Sequence, residues 1–279
     1  MAEILEEINI DEIDYDSIVI EDDEPVDSIF SEKQQRLLVE TLHVSWKPDR
    51  LFMASANVGI FYHPKELAIV PDMYLSLDVK SEDDIKKREN LSYFVWKYGK
   101  PPEVAVEVVS NTRGGELDRK VNRYALIGVL YYVVLDPLHV YGEDELCVFE
   151  LHAGRYMAKR NRQLEKVGLG VTLWEGEYEG WEKRWLRWVD DKGQMLLTGQ
   201  ERSAQEERRA DYAEQAAFKE WLRAEQEKQK VEQEKQKVEQ ERLRAEQAEA
   251  ALAKKQERAE RLAAQLRALG IEPEDEAEG

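Results

Sequence analysis

Two carboxylates and one ammonium group stand where the sequence pattern makes a polar side chain unexpected. Asp72 follows a proline at the start of a β-rich segment, and Glu107 interrupts an otherwise apolar segment of strand length. Lys120 borders the apolar stripe of a helical segment, so its stem can lie on apolar surface while its ammonium reaches a cleft. Carboxylate oxygens can hold Mg²⁺, which polarises a phosphate and generates hydroxide, while a lysine orients water or stabilises phosphoryl charge. The three residue types therefore suit metal-assisted hydrolysis of a phosphodiester.

Each of these residues also has an ordinary structural interpretation. An aspartate after a proline is commonly a turn former. Lys120 follows Glu116 by four residues, the spacing of a surface ion pair on a helix. Glu107 could pair with any nearby lysine or arginine, because a buried carboxylate needs a partner or a metal. Composition and spacing by themselves favour these structural roles at each position.

The segment 101–137 must position two of the three residues. Alternation predicts a strand over 103–110, with Val104, Val106 and Val108 on one side and Ala105, Glu107 and Val109 on the other. A polar, glycine-containing loop over 110–115 precedes a helix over 116–127, which ends at Gly128. The continuous apolar run 129–135 predicts a second strand, buried on both faces.

The flanking segments predict the rest of one mixed α/β domain. Ser31 as N-cap and Gln34 three residues later predict a helix over 31–43. Strands are predicted over 51–63 and 68–79, joined by a turn at 63–66, and Pro71 marks an edge, a bulge or a strand start. A short strand is predicted over 93–96. Antiparallel hairpins are predicted after residue 137, from strand-like runs at 145–151, 155–159, 169–174 and 185–189.

Composition bounds the classes of protein that fit. The chain has 279 residues and a formal net charge of −19, but residues 31–200 hold 26 acids and 24 bases, a balance of −2. Global acidity therefore does not exclude a nucleic-acid partner, although no strongly basic patch indicates one. The single cysteine, Cys147, excludes an intrachain disulfide and a cysteine-based zinc site. Without a signal peptide or a membrane span in the sequence, we expect a cytoplasmic protein with no membrane partner.

The two ends differ in composition from the middle. Residues 1–30 carry 12 acids and no lysine or arginine, which is typical of a flexible arm or, alternatively, of an acidic mimic covering a DNA-binding face. From 199 to 269 the sequence predicts one long charged helix, with KQKVEQE repeated at 228–234 and 235–241. An apolar residue recurs every seven, but the second seam position is mostly charged, so a solvated single helix or a weak coiled coil is expected. An acidic tail, 270–279, follows.

The order of these elements resembles the PD-(D/E)XK nuclease core and, more closely, the Uma-two family of restriction-endonuclease-like proteins. The resemblance covers roughly residues 31–200. The residues that carry it are Val70-Pro71-Asp72, Val104 through Asn111, Gly115-Glu116, Lys120, Tyr124, Gly128-Val129, Tyr131 through Pro137, Gly168 through Val171, Leu173-Trp174 and Trp185 through Trp188.

This resemblance implies an α/β fold with a restriction-endonuclease-like mixed β-sheet core flanked by helices, appended β hairpins and a long C-terminal charged helix. It also implies a Mg²⁺-dependent, or Mn²⁺-dependent, DNA endonuclease with Asp72, Glu107 and Lys120 as catalytic residues. By the same resemblance, Asp72, Glu107 and the Val108 carbonyl are the metal ligands, and Glu32 is a further candidate. Val109 stands where the E-x-K pattern places a lysine, which implies that the lysine has moved to the helix as Lys120.

The predicted organisation is an acidic segment over 1–30, a nuclease-like domain over 31–198, a long helix or weak coiled coil over 199–269 and an acidic tail over 270–279. DNA is the expected partner, together with a homodimer or tail-mediated self-association. The alternative function is a catalytically silent nuclease-fold module that binds or assembles through its C-terminal helix. A purely structural coiled-coil protein does not explain a mixed α/β region of ordinary domain size.

Overall fold

The computed structural model describes Asp14, residues 28–110 and residues 119–270. The predicted acidic segment 1–30 and tail 270–279 lie almost wholly outside the described residues. The strands are β1 Phe52–Ala56, β2 Ile60–Phe61, β3 Met73–Leu77, β4 Tyr93–Phe94, β5 Val104–Val108, β6 Tyr131–Leu135, β7 Leu146–His152, β8 Arg155–Ala158, β9 Gln163–Leu164, β10 Leu169–Tyr178 and β11 Trp181–Val189. The helices are α1 Ile29–Ser45, α2 Val95–Tyr98, α3 Val121–Ile127 and α4 Gly199–Ala268.

A six-stranded mixed sheet, in the order β1-β3-β5-β6-β7-β8, is the centre of the fold. Strands β5 and β6 pair in parallel, and the other neighbours in this sheet pair antiparallel. Two smaller sheets accompany it, β9-β10-β11 and the parallel pair β2-β4. The predicted fold class, a mixed α/β core with helices, appended hairpins and a long C-terminal helix, is confirmed.

The main sheet lies between two apolar layers, because its central strands are buried on both faces. On one face, Val106 packs in a cluster with Leu38 and Leu42 of α1. On the other face, Ala105 packs in a cluster with Tyr124 and Ile127 of α3. The alternation predicted for β5 is therefore confirmed, and the face that carries Glu107 is the face that α3 covers.

The hairpin formed by β1 and β3 is interrupted halfway. Phe52 pairs with Leu77, and the same register returns beyond the interruption, where Ile60 pairs with Ile69. At the interruption, Asn57 has a φ of 52° and donates its backbone N–H to the Asp72 carbonyl at 3.3 Å. The predicted pair of strands and their turn are confirmed as an interrupted hairpin. Strand β3 begins just after Pro71, as the missing N–H of proline predicts.

Two local predictions were wrong. The N-cap of α1 is Ser28, whose hydroxyl accepts the N–H of Ser31, so the cap lies three residues before the predicted one and the helix begins at Ile29. Gln34 instead exchanges two hydrogen bonds with the backbone of Leu186 in β11, at 2.9 and 2.8 Å. The predicted strand over 93–96 stops after two residues and continues as the helical turn α2, which ends at Gly99 with φ 73°.

The strand of the apolar run 129–135 is confirmed as β6, and Gly128 ends α3 in the left-handed conformation predicted for a helix end. The start of the predicted helix, including Glu116 and Leu117, lies outside the described residues. After residue 137, β7 and β8 form a hairpin through Ala153 and Gly154, and β10 and β11 form a second hairpin. The predicted hairpins are confirmed, with the first of them extending the main sheet.

Helix α4 is continuous over 70 residues, as predicted, and none of its residues is buried. The chain divides into two compact units, Met1–Ala204 and Gln205–Gly279. The first turn of α4 belongs to the first unit, where Glu201 caps the helix by accepting the N–H of Thr198 at 2.8 Å. Among the described residues, no helix is both long and apolar enough to cross a membrane.

Candidate active site

Asp72 sits at the point where the chain enters β3, and its carboxylate is held on both oxygens. Oδ2 accepts the backbone N–H of Val108 at the end of β5, and Oδ1 accepts Nε2 of Gln35 at 2.7 Å. The side chain thus contacts both the central sheet and α1. Because the residue is only 7% exposed, these donors replace water around the carboxylate.

Glu107 is the buried acid of β5, with 1% of its surface exposed. Its Oε2 lies 2.8 Å from the ammonium of Lys120, and its Oε1 accepts the hydroxyl of Tyr124 at 2.7 Å. Lys120 and Tyr124 are four residues apart on one helical segment, so their side chains lie on the same face and reach the same carboxylate. The buried charge therefore has both a counter-ion and a hydrogen-bond donor.

The strand register brings the two acids together. Met73, the first residue of β3, pairs with Val106 of β5, and Asp72 and Glu107 are the next residues beyond this pair on the two segments. The Asp72 carboxylate accepts the N–H of Val108, the residue that follows Glu107. The electrostatics of Tyr124 agree, because the negative charges of both Glu107 and Asp72 act on its hydroxyl.

The site groups named above carry more negative than positive formal charge. Asp72 and Glu107 contribute −2, and the Lys120 ammonium contributes +1. Lys120 is the most accessible of the three, with 29% of its side chain exposed. Burial, reinforced by Glu107, raises the pKa of Tyr124 well above its ordinary value, so its hydroxyl stays protonated and continues to donate. The site can accept a cation and keep its hydrogen-bond donors.

The donor set fits a hard divalent cation. The oxygens predicted to bind it are those of the Asp72 and Glu107 carboxylates and the Val108 carbonyl. A carboxylate oxygen has two lone pairs, so it can accept a hydrogen bond and also bind a metal ion. Within the described part of the chain, no group of three or more His, Cys, Asp or Glu side chains could hold a metal. Mg²⁺ suits this set, because it is usually bound by one or two carboxylates and keeps several waters.

The structure places all four residues predicted for the site, Asp72, Glu107, Val108 and Lys120, in one contact network. The side chain of Glu32, the further candidate, is 56% exposed and pairs with Arg36 at 3.0 Å. The hydrogen bonds and the strand pairing bring these groups together. The catalytic and metal-binding roles assigned to them stay predictions.

Three residues of the network were not predicted as site residues: Gln35, Asn57 and Tyr124. Gln35 carried a usable signal, since it lies three and seven residues before Leu38 and Leu42 and is therefore a polar group on the apolar stripe of α1. Tyr124 was named among the residues that carry the family resemblance, without a role in the site. Asn57 carried no signal, because its role depends on the conformation of the interrupted hairpin.

These observations define an α/β domain in which two carboxylates and a lysine lie together at the edge of the central strands. Residues 15–173 match the family described as "Uma2: Putative restriction endonuclease". The chain belongs to this family.

Among solved structures, the chain is similar to a protein titled "Crystal structure of a putative nuclease belonging to DUF820 from Anabaena variabilis ATCC 29413". The identity is 12% and the TM-score 0.36, over 50% of this chain and 71% of the other. Similarity at this level gives no information about the residues of the candidate site. No curated protein matches the chain.

Proposed function

We propose that this protein is a metal-dependent endonuclease that hydrolyses phosphodiester bonds of DNA, with Mg²⁺ as its cofactor and Mn²⁺ as a substitute. The observation that carries the proposal is that Asp72, just before β3, contacts the end of β5, the strand that carries Glu107, and that Lys120 pairs with Glu107. Membership of a family described as restriction endonucleases supports the reaction class and the nucleic-acid substrate.

Asp72, Glu107 and the carbonyl of Val108 would hold the cation. When bound, the cation polarises the scissile phosphate and lowers the pKa of a coordinated water. Without the cation, the two carboxylates repel each other and are kept in place by Gln35, the Val108 N–H, Tyr124 and Lys120. The site is thus assembled before substrate arrives, which reduces the reorganisation needed during the reaction.

Lys120 supplies the positive charge that acts on the substrate. An ammonium has three N–H donors, so it can hold Glu107 while it donates to a water or to a phosphoryl oxygen. Its position on a helix beside the strand, rather than on β5 itself, satisfies the same charge requirement that the E-x-K pattern meets. The developing negative charge on the phosphoryl oxygens is stabilised by this ammonium.

The direct test is nicking of a supercoiled plasmid with Mg²⁺, with Mn²⁺ or with EDTA. We expect cleavage with either metal and none with EDTA. Asp72→Asn and Glu107→Gln should abolish cleavage and weaken Mg²⁺ binding measured by calorimetry, because each removes a charged ligand. Glu32→Gln is the matched control, since it removes an exposed carboxylate of α1. Cleavage that survives EDTA or persists in Glu107→Gln would overturn the proposal.

The second candidate is a catalytically silent module that assembles through α4. The observation that favours it is a 70-residue helix with no buried residue, on which Leu252 and Leu262 are exposed, followed directly by the exposed Leu269. We propose that α4 mediates self-association into a homodimer, with pairing at this leucine-rich end. A wild-type protein that self-associates but cuts no DNA with any divalent metal would favour the silent module over the nuclease.

A further inference from the structure

Gln35 is a buried amide that faces the candidate metal site from α1. It is 3% exposed, and its Nε2 lies 2.7 Å from Oδ1 of Asp72. A buried amide is costly unless it is hydrogen-bonded, and a bond to an ionised acceptor is among the stronger ones. The contact spans 37 residues of sequence, so it is made by the packing of α1 against the sheet and not by a local turn.

The orientation of this amide is fixed by Asp72, because an ionised carboxylate only accepts hydrogen bonds. The Gln35 NH₂ group must therefore face Asp72, and it also lies 3.3 Å from Oγ of Ser31. The oxygen end of the amide is held by Asn57, whose Nδ2 donates to Oε1 of Gln35 at 2.8 Å. Asn57 thus holds Gln35 in the orientation that Asp72 requires.

The interruption of the β1–β3 hairpin places Asn57 in this position. Its φ of 52° lies in the left-handed region, which asparagine tolerates better than most residues. Its backbone N–H also donates to the carbonyl of Asp72 at 3.3 Å. Asn57 is thus connected to Asp72 twice, directly through the backbone and indirectly through Gln35. We call the indirect connection the Asn57–Gln35–Asp72 relay.

We propose that Gln35 is a positioning residue for the metal ligand Asp72, and that Asn57 holds the Gln35 amide in place through this relay. The inference rests on the proposed function, since it assigns Asp72 to the metal. With Gln35 on Oδ1 and the Val108 N–H on Oδ2, both oxygens of the carboxylate are fixed. Mg²⁺ demands near-ideal geometry, so a ligand held in advance binds it more tightly than one that is free to rotate.

Calorimetric Mg²⁺ titration tests the relay without depending on turnover. Gln35→Leu should weaken Mg²⁺ binding about 10- to 100-fold, the usual effect of losing a partner that orients a metal ligand. Asn57→Gly removes the side-chain donor but keeps the positive φ, and should weaken binding less. Because the two residues act in series, the double variant should bind no more weakly than Gln35→Leu alone.

The matched control is Thr41→Val, also buried on α1. It removes the hydrogen bonds of Thr41 to the carbonyls of Leu37 and Leu38, which lie within α1 itself. We expect its Mg²⁺ affinity to equal that of the wild type. A second readout needs no metal: the side-chain amide NMR signal of Gln35, identified by its loss in Gln35→Leu, should shift in Asn57→Gly and stay unchanged in Thr41→Val.

The outcomes separate this inference from the proposed function. A wild-type protein that binds no divalent metal overturns both. Wild-type binding that is unchanged in Gln35→Leu, or additive losses in the double variant, overturns the relay alone. If Gln35→Leu lacks a cooperative melt, Asn57→Gly decides the matter, because Asn57 is exposed and its replacement leaves the core intact. Unchanged affinity in that variant also overturns the relay.

Discussion

The ammonium of Lys120 lies 2.8 Å from Oε2 of Glu107, so a partly exposed helix residue compensates a carboxylate that is almost fully buried. The pair has two consequences that oppose each other. It stabilises Glu107 within the apolar β5, and it places a positive charge beside the proposed cation site. Replacing Lys120 with an uncharged residue should therefore lower the stability of the metal-free protein and raise its affinity for the metal.

Lys120→Met removes the charge and keeps the apolar stem. We expect the free energy of unfolding of the metal-free protein to fall by about 2–4 kcal/mol, because the buried Glu107 carboxylate loses the ammonium beside it. The loss is moderate because Lys120 is itself partly exposed. Mg²⁺ should bind more tightly, since the competing ammonium is gone, while DNA nicking should be lost. Urea denaturation and calorimetry measure the two effects.

Arg119→Met provides the control for Lys120→Met, because it removes the neighbouring cation, which is exposed. It should leave the free energy of unfolding within about 0.5 kcal/mol of wild type. Weaker Mg²⁺ binding in Lys120→Met would contradict the opposing roles assigned to the pair.

Tyr124→Phe should change the dependence of stability on alkaline pH. Burial raises the pKa of the Tyr124 hydroxyl well above 10.0, with Glu107 adding to the effect. The unfolded chain ionises this phenol near pH 10 while the folded chain keeps it protonated, so its contribution is full below pH 10 and is lost as the pH rises further. The stability difference between wild type and Tyr124→Phe should therefore shrink above pH 10, by up to about 1.4 kcal/mol per pH unit.

Urea denaturation at pH 8, 10 and 11 measures this dependence on Tyr124. Tyr212→Phe is the control, because Tyr212 is 72% exposed. Its pH profile should coincide with that of the wild type. Parallel profiles for wild type and Tyr124→Phe would show that the phenol of Tyr124 is not the titrating group.

Glu201→Gln should destabilise the first compact unit. Arg187 is 1% exposed in its side chain and pairs with Glu201 at 2.6 Å. Removal of the carboxylate leaves the guanidinium in the core without its counter-ion, at a cost of about 3 kcal/mol. Burial has the largest single effect and acts to raise the pKa of Glu201, but the hydrogen bonds from Arg187 and Thr198 and the charge of Arg187 together lower the pKa below 4.5.

The sign of this pKa shift fixes the pH range of the Glu201 effect. A lowered pKa means that the stabilisation is full above about pH 4.5 and is lost as the pH falls through the folded-state value. The destabilisation by Glu201→Gln, measured with urea, should therefore be largest at neutral pH and diminish in acid. Glu207→Gln, an exposed site on α4, should be neutral at every pH.

Truncation after Ala204 tests the separation of the two units. The fragment 1–204 keeps the Arg187–Glu201 pair and should melt cooperatively, whereas a fragment ending at 198 loses Glu201 and should melt at a lower temperature. Sedimentation should find the full chain self-associated and the fragment 1–204 monomeric, because the proposed contact surface is on α4. A dimeric 1–204 fragment would contradict self-association through α4.

Local periodicity made much of the fold predictable. Alternation along β5 identified the face of Glu107, since successive strand side chains point to opposite faces. The proline before Asp72 located the start of β3, because proline has no N–H to donate to a ladder. The long helix followed from the absence of glycine and proline over some 70 residues. The cap of α1 was misplaced because both Ser28 and Ser31 are suitable capping residues.

The sequence by itself determined the elements and which residue types could do chemistry, because those depend on neighbours within one or two turns of chain. Only the tertiary structure decided which donor holds which carboxylate. Gln35 meets Asp72 because α1 packs across the sheet, and Asn57 meets Gln35 because the β1–β3 hairpin is interrupted at a positive φ. Such contacts depend on how distant elements pack, and a periodic pattern within one element carries no information about that packing.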